Sequence, residues 1–124
     1  MKKIITPEKT VKKNLMDLLK ATRGIAWVER MNSGMPSLDY KGKKRFFMGA
    51  QKGTSDIVGM LEGGRTFFIE VKRDGKTPTE EQVLFMERIR KHGGVALVCV
   101  GIDGIETTIK ALMSSNPTTL KMDV

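Results

Sequence analysis

Between Thr6 and Lys20 the apolar positions Val11, Leu15, Leu18 and Leu19 recur at helical spacing, which predicts a first helix with an inward-facing stripe. Thr6 is its expected N-cap and Pro7 its first helical position, where a missing N–H costs nothing. Glu8 lies three residues before Val11 and seven before Leu15, so it shares the face of the stripe, an unusual direction for a carboxylate. After Gly24, the run from Ile25 to Met31 reads as a strand, ended by Asn32-Ser33-Gly34 and Pro36. From there to about Ser55 the pattern has no convincing periodicity. A connection of that length in a small domain is commonly functional or disordered.

Two further strands follow, Asp56 to Leu61 and Thr66 to Lys72. Glu62-Gly63-Gly64-Arg65 between them is hairpin turn material, so the two should pair antiparallel. Thr77-Pro78-Thr79-Glu80 has the form of a capping box with Pro at the first helical position. The helix it opens carries Phe85, Met86 and Ile89 inward and stops at Gly93-Gly94. Val95 to Val100 is a buried fourth strand, and Ile105 to Met113 a short last helix. The order α-β-β-β-α-β-α predicts an α/β fold with a mixed four-stranded sheet flanked by helices. Residues 1–113 are expected to form the domain, and the polar, Pro-broken stretch 114–124 a tail.

With 124 residues the chain can build one core without disulfides or a structural metal. Its single cysteine, Cys99, lies in the apolar fourth strand and reads as a buried reduced thiol; no Cys/His cluster suits zinc. The N-terminus lacks the apolar region of a signal peptide, and no apolar stretch approaches a membrane span, so a cytoplasmic protein is expected. So short a chain would suit a phage or mobile element. The 22 Lys and Arg against 14 Asp and Glu give a net charge of +8, which suggests a polyanionic partner. Charge alone does not separate nucleic acid from a membrane surface or an acidic protein. The aperiodic stretch carries Lys41, Lys43, Lys44, Arg45 and Lys52, with Phe46 and Phe47 among them and no acid after Asp39 until Asp56. Such a run can be a solvated loop, but this one leads straight into Asp56 and suits an arm that grips phosphates. Asn32, at the end of the first strand, is a further candidate to face that substrate.

Along the third strand Phe67, Ile69 and Val71 point one way, and Phe68, Glu70 and Lys72 the other. In an antiparallel hairpin the start of one strand lies beside the end of the next, so Asp56 should meet Glu70 and Lys72. Two carboxylates a few ångströms apart repel unless a cation or a proton sits between them. Hard oxygen donors of this kind suit Mg²⁺, with Mn²⁺ expected to substitute. A lysine beside them can position or deprotonate an attacking water, or stabilise charge developing on a phosphate. An isolated Glu-x-Lys is ordinarily a solvated pair, and an Asp after Gly53-Thr54-Ser55 can simply cap a turn. The conjunction of the two at one end of a hairpin points to a site. Gln82, three residues before Phe85 and seven before Ile89, also points inward, as Glu8 does on the first helix. Buried polar groups need partners, and a metal site would provide them.

The ordered blocks Gly53-Thr54-Ser55-Asp56, Phe68-Ile69-Glu70-Val71-Lys72-Arg73, Thr79-Glu80-Glu81-Gln82 and Gly93-Gly94 resemble the VRR-NUC domain of the PD-(D/E)xK nuclease superfamily. The resemblance runs from about Glu8 to Val100, with Ser55 where that family often has Pro. It implies a restriction-endonuclease-like core in which Asp56, Glu70 and the Val71 carbonyl hold a divalent metal. Lys72 would act on the water or the scissile phosphate, with Glu8 and Gln82 as the further acidic and amide members. Arg73, next to Lys72 in the sequence, joins Lys41, Lys43, Lys44, Arg45 and Lys52 as a candidate DNA contact. The expected activity is Mg²⁺-dependent hydrolysis of phosphodiester bonds in branched DNA such as four-way (Holliday) junctions. A two-fold symmetric junction would match a homodimer. The alternatives are a monomeric nickase or flap endonuclease, and a basic nucleic-acid-binding module without activity.

Overall fold

In a computed structural model of the chain, which describes residues 4–31, 36–38, 44–46 and 55–115, Pro7 sets where the first helix begins. Its extended backbone (ψ 146°) keeps it outside the helix as N-cap, and its carbonyl accepts the Thr10 and Val11 N–H groups at 3.0 and 3.1 Å. Helix α1 therefore spans Glu8–Ala21, one residue later than expected, and Thr6 does not cap it. The buried stripe also differs in one member: Val11, Leu15, Met16 and Leu19 face inward, whereas Leu18 is 50% exposed. At about 100° per residue, the buried arc runs from Val11 through Leu15 and Leu19 to Met16. Leu18 falls just outside that arc, and Glu8 and Lys12 fall within it.

The strands are β1 (Ile25–Arg30), β2 (Pro36–Leu38), β3 (Lys44–Phe46), β4 (Ile57–Leu61), β5 (Thr66–Lys72) and β6 (Val95–Val100), with helices α2 (Glu80–Lys91) and α3 (Gly104–Ser114). Four of the strands form one mixed sheet in the order β1-β4-β5-β6. β4 pairs antiparallel with both β1 and β5, and β6 runs parallel to β5. This is the expected core order, α-β-β-β-α-β-α, with β2 and β3 added as a separate antiparallel pair inside the stretch that showed no periodicity. The rest of that stretch, and the tail from residue 116, lie outside the described residues. The β4–β5 hairpin closes through Gly63 and Gly64, both at φ 99°, a conformation that favours glycine.

Alternation along β5 is as expected. Phe67, Ile69 and Val71 are fully buried in one cluster with Val11, Leu15, Leu19, Ile57, Leu61, Cys99, Ile105 and Leu112. Helices α1 and α3 thus cover that face, and each fully buried aliphatic side chain contributes about 1.5–3 kcal/mol. On the opposite face α2 packs Phe85 edge-on against Phe68, ring centroids 5.0 Å apart. Helix α2 starts two residues later than expected. Thr79, not Thr77, is the N-cap, and the capping box closes on Gln82: Thr79 Oγ accepts the Gln82 N–H at 3.2 Å, and Gln82 Oε1 accepts the Thr79 N–H at 2.8 Å. Among the described residues no helix is long and apolar enough to cross a membrane.

Candidate active site

The end of β5 outruns the start of β4. Ile57 is the last β4 residue paired, opposite Ile69, so Asp56 and Glu70 come next on either side. Two main-chain contacts lock Asp56 in place: its carbonyl accepts the Met31 N–H at 2.7 Å, and its Oδ2 accepts the Val71 N–H at 2.9 Å. Its other oxygen, Oδ1, accepts the Lys12 ammonium at 3.0 Å. Asp56 is thereby held between β1, β5 and α1.

Glu70 is only 2% exposed. Its Oε1 accepts the Gln82 side-chain amide at 3.0 Å, with the Lys72 ammonium 3.9 Å from the same oxygen. Its Oε2 is buried and has no hydrogen-bond partner. The amide of Gln82 cannot turn freely, because its carbonyl oxygen is engaged by the Thr79 N–H. The helix cap thus aims the NH₂ group at Glu70.

Burial, then hydrogen bonding and repulsion from Asp56, push the Glu70 carboxyl up from 4.5 to about 9 against the pull of Lys72; Glu8 adds its repulsion. Burial acts upward on Asp56 too, but hydrogen bonds from Glu70, the Val71 N–H and Lys12, with the Lys12 charge, hold it below 3.8. The opposite directions reflect two carboxylates too close to ionise independently, with burial weighing most on Glu70.

An orphaned carboxylate oxygen beside an ionised carboxylate is a donor set for a hard divalent cation. Among the described residues no group of three or more His, Cys, Asp or Glu converges on one point. Two carboxylates with water and phosphate oxygens are nonetheless what Mg²⁺ favours. The residues present fit such an ion.

Asp56, Glu70, Lys72 and Gln82, which the sequence singles out, are brought together. Glu8 is half-buried on the first turn of α1 and reaches Glu70 through its charge. Val71 sits between Glu70 and Lys72, its N–H on Asp56. Arg73 is half-buried immediately after Lys72. Lys44 and Arg45 lie on β3. Lys41, Lys43, Lys52 and Asn32 lie outside the described residues. Lys12 is the member that sequence reasoning missed. Its signal was present: it stands four residues after Glu8 and one after Val11, inside the buried arc of α1.

The VRR-NUC domain profile matches residues 7–103, which include every member of this site. A solved structure titled "VRR_NUC domain" is 26% identical, with a TM-score of 0.57, over 83% of this chain and 94% of its own. Another, titled "VRR_NUC domain protein", shares the fold at 22% identity and a TM-score of 0.64, over 90% of this chain and 92% of its own. No curated protein matches the chain. A profile match spanning the four-stranded sheet, helices α1 and α2 and the whole carboxylate–lysine cluster means that the chain belongs to the VRR-NUC domain family of nucleases.

Proposed function

We propose that the chain is a divalent-metal-dependent endonuclease that recognises branched DNA, four-way junctions among them, with residues 1–113 as the nuclease domain. The observation that carries this reading is Glu70: a carboxylate 2% exposed, one oxygen without a partner, facing Asp56 and flanked by Lys72. Burying such a group is costly unless something is to be bound there.

Asp56 and Glu70 would hold Mg²⁺ or Mn²⁺, with the Val71 carbonyl as a further donor. Bound there, the ion supplies Lewis-acid polarisation of the phosphate and lowers the pKa of water. Lys72, on the same face of β5 as Glu70, places a positive charge where the scissile phosphate gains negative charge. It also stands where it can orient the attacking water. Gln82 fixes the rotamer of Glu70, and Glu8 adds negative charge from α1. Arg73, Lys41, Lys43, Lys44, Arg45, Lys52 and Asn32 would contact the DNA backbone. The net charge of +8 supports such a partner, and a two-fold junction would be met by a homodimer.

The test is cleavage of a labelled four-way junction and a matched linear duplex in Mg²⁺, by the wild type and Lys72→Ala. Junction-selective cutting lost in the variant, with binding retained, is the expected result. Equal cutting of both substrates would keep the nuclease and remove the junction preference. Binding without cleavage in either Mg²⁺ or Mn²⁺ would leave a nucleic-acid-binding module instead.

A further inference from the structure

Lys12 has no part in the chemistry just described, yet it makes the shorter of the two ion pairs in the site, 3.0 Å to Asp56 against 3.9 Å between Lys72 and Glu70. It reaches Asp56 from another layer of the fold, 44 residues away in sequence. Its position on α1 lies inside the arc that also buries Val11, Leu15 and Leu19, so its stem leaves a packed helix face. Lys12 and Asp56 are each about one-fifth exposed. The ammonium is therefore a built part of the site and not a solvated surface charge.

The two oxygens of Asp56 differ in what they carry: Oδ2 accepts one neutral main-chain N–H, from Val71, and keeps a lone pair for a metal, whereas Oδ1 is paired with the Lys12 ammonium. In sites that hold two divalent ions about 3.5–4 Å apart, a carboxylate between them offers one oxygen to each. Here Oδ1 already carries a cation. The charges lead to the same place. With all groups ionised, Asp56, Glu70 and Glu8 against Lys12 and Lys72 sum to −1 (−3 + 2). A phosphodiester makes that −2, which one divalent ion neutralises. A second ion would leave the pocket at +2.

Building on the metal reading above, we infer that the Lys12 ammonium stands where a second divalent ion would bind Asp56, so that the site takes one divalent ion per chain. Lys12 is then a positioning residue that fixes the metal count. It also bars Asp56 from bridging two ions.

The test is Mn²⁺ binding to the metal-stripped full chain, without DNA, followed by calorimetry and by electron paramagnetic resonance. The wild type should bind one Mn²⁺ per chain and give the spectrum of isolated ions. Lys12→Met should bind two and show the multiline spectrum of an exchange-coupled pair, whereas Lys12→Arg, which keeps the charge, should stay at one. Should Lys12→Met fail to fold, Lys12→Gln carries the same two readouts, since it removes the charge and keeps a polar group. A coupled pair in the wild type overturns the inference, as does a single uncoupled ion in the charge-removing variant. No Mn²⁺ bound by the wild type, with Asp56→Asn indistinguishable from it, would instead sink the metal reading and this inference with it.

Discussion

Gln82 donates its side-chain amide to Glu70 at 3.0 Å while its own carbonyl oxygen accepts the Thr79 N–H at 2.8 Å, so one side chain both closes the cap of α2 and orients the buried carboxylate. The two duties can be separated. Gln82→Leu removes both, and should lower cleavage by about 10–100-fold, the range for a group that orients a metal ligand. It should also cost about 1 kcal/mol through the lost cap. Thr79→Ala removes only the hydroxyl that accepts the Gln82 N–H, leaving the contact to Glu70 in place. It should lose similar stability in urea titrations but keep cleavage within a few-fold. Equal activity losses in the two variants would mean that Gln82 matters only to the helix.

The raised Glu70 carboxyl makes stability depend on pH in a direction opposite to that of most acids. Glu70 is raised from 4.5 to about 9, so between those values the folded chain holds a proton that the unfolded chain has released. Its contribution is full below the unfolded value and is lost as pH rises toward the folded one. Asp56, lowered from 3.8, contributes above that value and loses its contribution as pH falls through the lowered one. In EDTA the Tm should therefore decline from about pH 5 to about pH 9, and Glu70→Gln should flatten that decline while abolishing cleavage. Binding of Mg²⁺ should release a proton, measurable by calorimetry in buffers of different ionisation enthalpy. A wild-type Tm that rises across this window would contradict the assignment.

What the sequence disclosed of this site, and what it hid, follows from how far each signal is local. The two-residue period of β5 set Glu70 and Lys72 on one face, and the short Gly-Gly turn fixed which end of β4 would meet them, so Asp56 was legible. Gln82 was legible because its spacing to Phe85 and Ile89 gave its direction. The helix starts slipped by one and two residues because Pro7 and Pro78 each suit more than one position near a cap, and the choice fell to local hydrogen bonds, those of the Pro7 carbonyl at α1 and the Thr79–Gln82 capping box at α2. Leu18 and Met16 exchanged roles because an apolar stripe names an arc only to within about one residue. Lys12 was hidden for a related reason: a lysine at the edge of a stripe can extend to water, and only the approach of Asp56, 44 residues on, turns it inward.

Lys72 should be the most sensitive cation to conservative change. Its ammonium is a compact point charge close to Glu70, and a guanidinium in that space would be larger and differently directed. Lys72→Ala and Lys72→Arg should both reduce cleavage by about 10²–10³-fold, with affinity for DNA changed only a few-fold. Binding and single-turnover cleavage on the same substrate separate the two effects. Activity retained by Lys72→Arg would mean that charge alone suffices.

A control for the fold lies away from the site at Gly59, in the middle of β4. A Cβ there would stand 2.3 Å from the Phe67 ring and 2.6 Å from the Trp27 carbonyl. Neither neighbour can retreat, since Phe67 is fully buried and Trp27 belongs to the paired strand β1. Gly59→Ala should destabilise the chain by about 1–3 kcal/mol, the usual cost of overpacking, read as a lower midpoint in urea. Below the temperature at which it unfolds, the variant should cleave as the wild type does.

The last prediction concerns the cations outside the carboxylate cluster. Phosphate contacts release condensed counterions, so the affinity for DNA should fall steeply with salt, by about 0.9 in the log–log slope for each contact on duplex. Arg73, half-buried beside Lys72, should account for one such unit, and Arg73→Gln should reduce the slope by about that much. Replacing Lys41, Lys43, Lys44, Arg45 and Lys52 together by Gln removes five charges from one stretch and should flatten the slope further. The loss should be uniform across base sequences, because phosphates carry none. It should weaken binding while leaving single-turnover cleavage at saturating DNA near the wild-type rate. An unchanged slope in the five-fold variant would mean that this stretch does not touch the backbone, and that the excess charge serves another surface of the molecule.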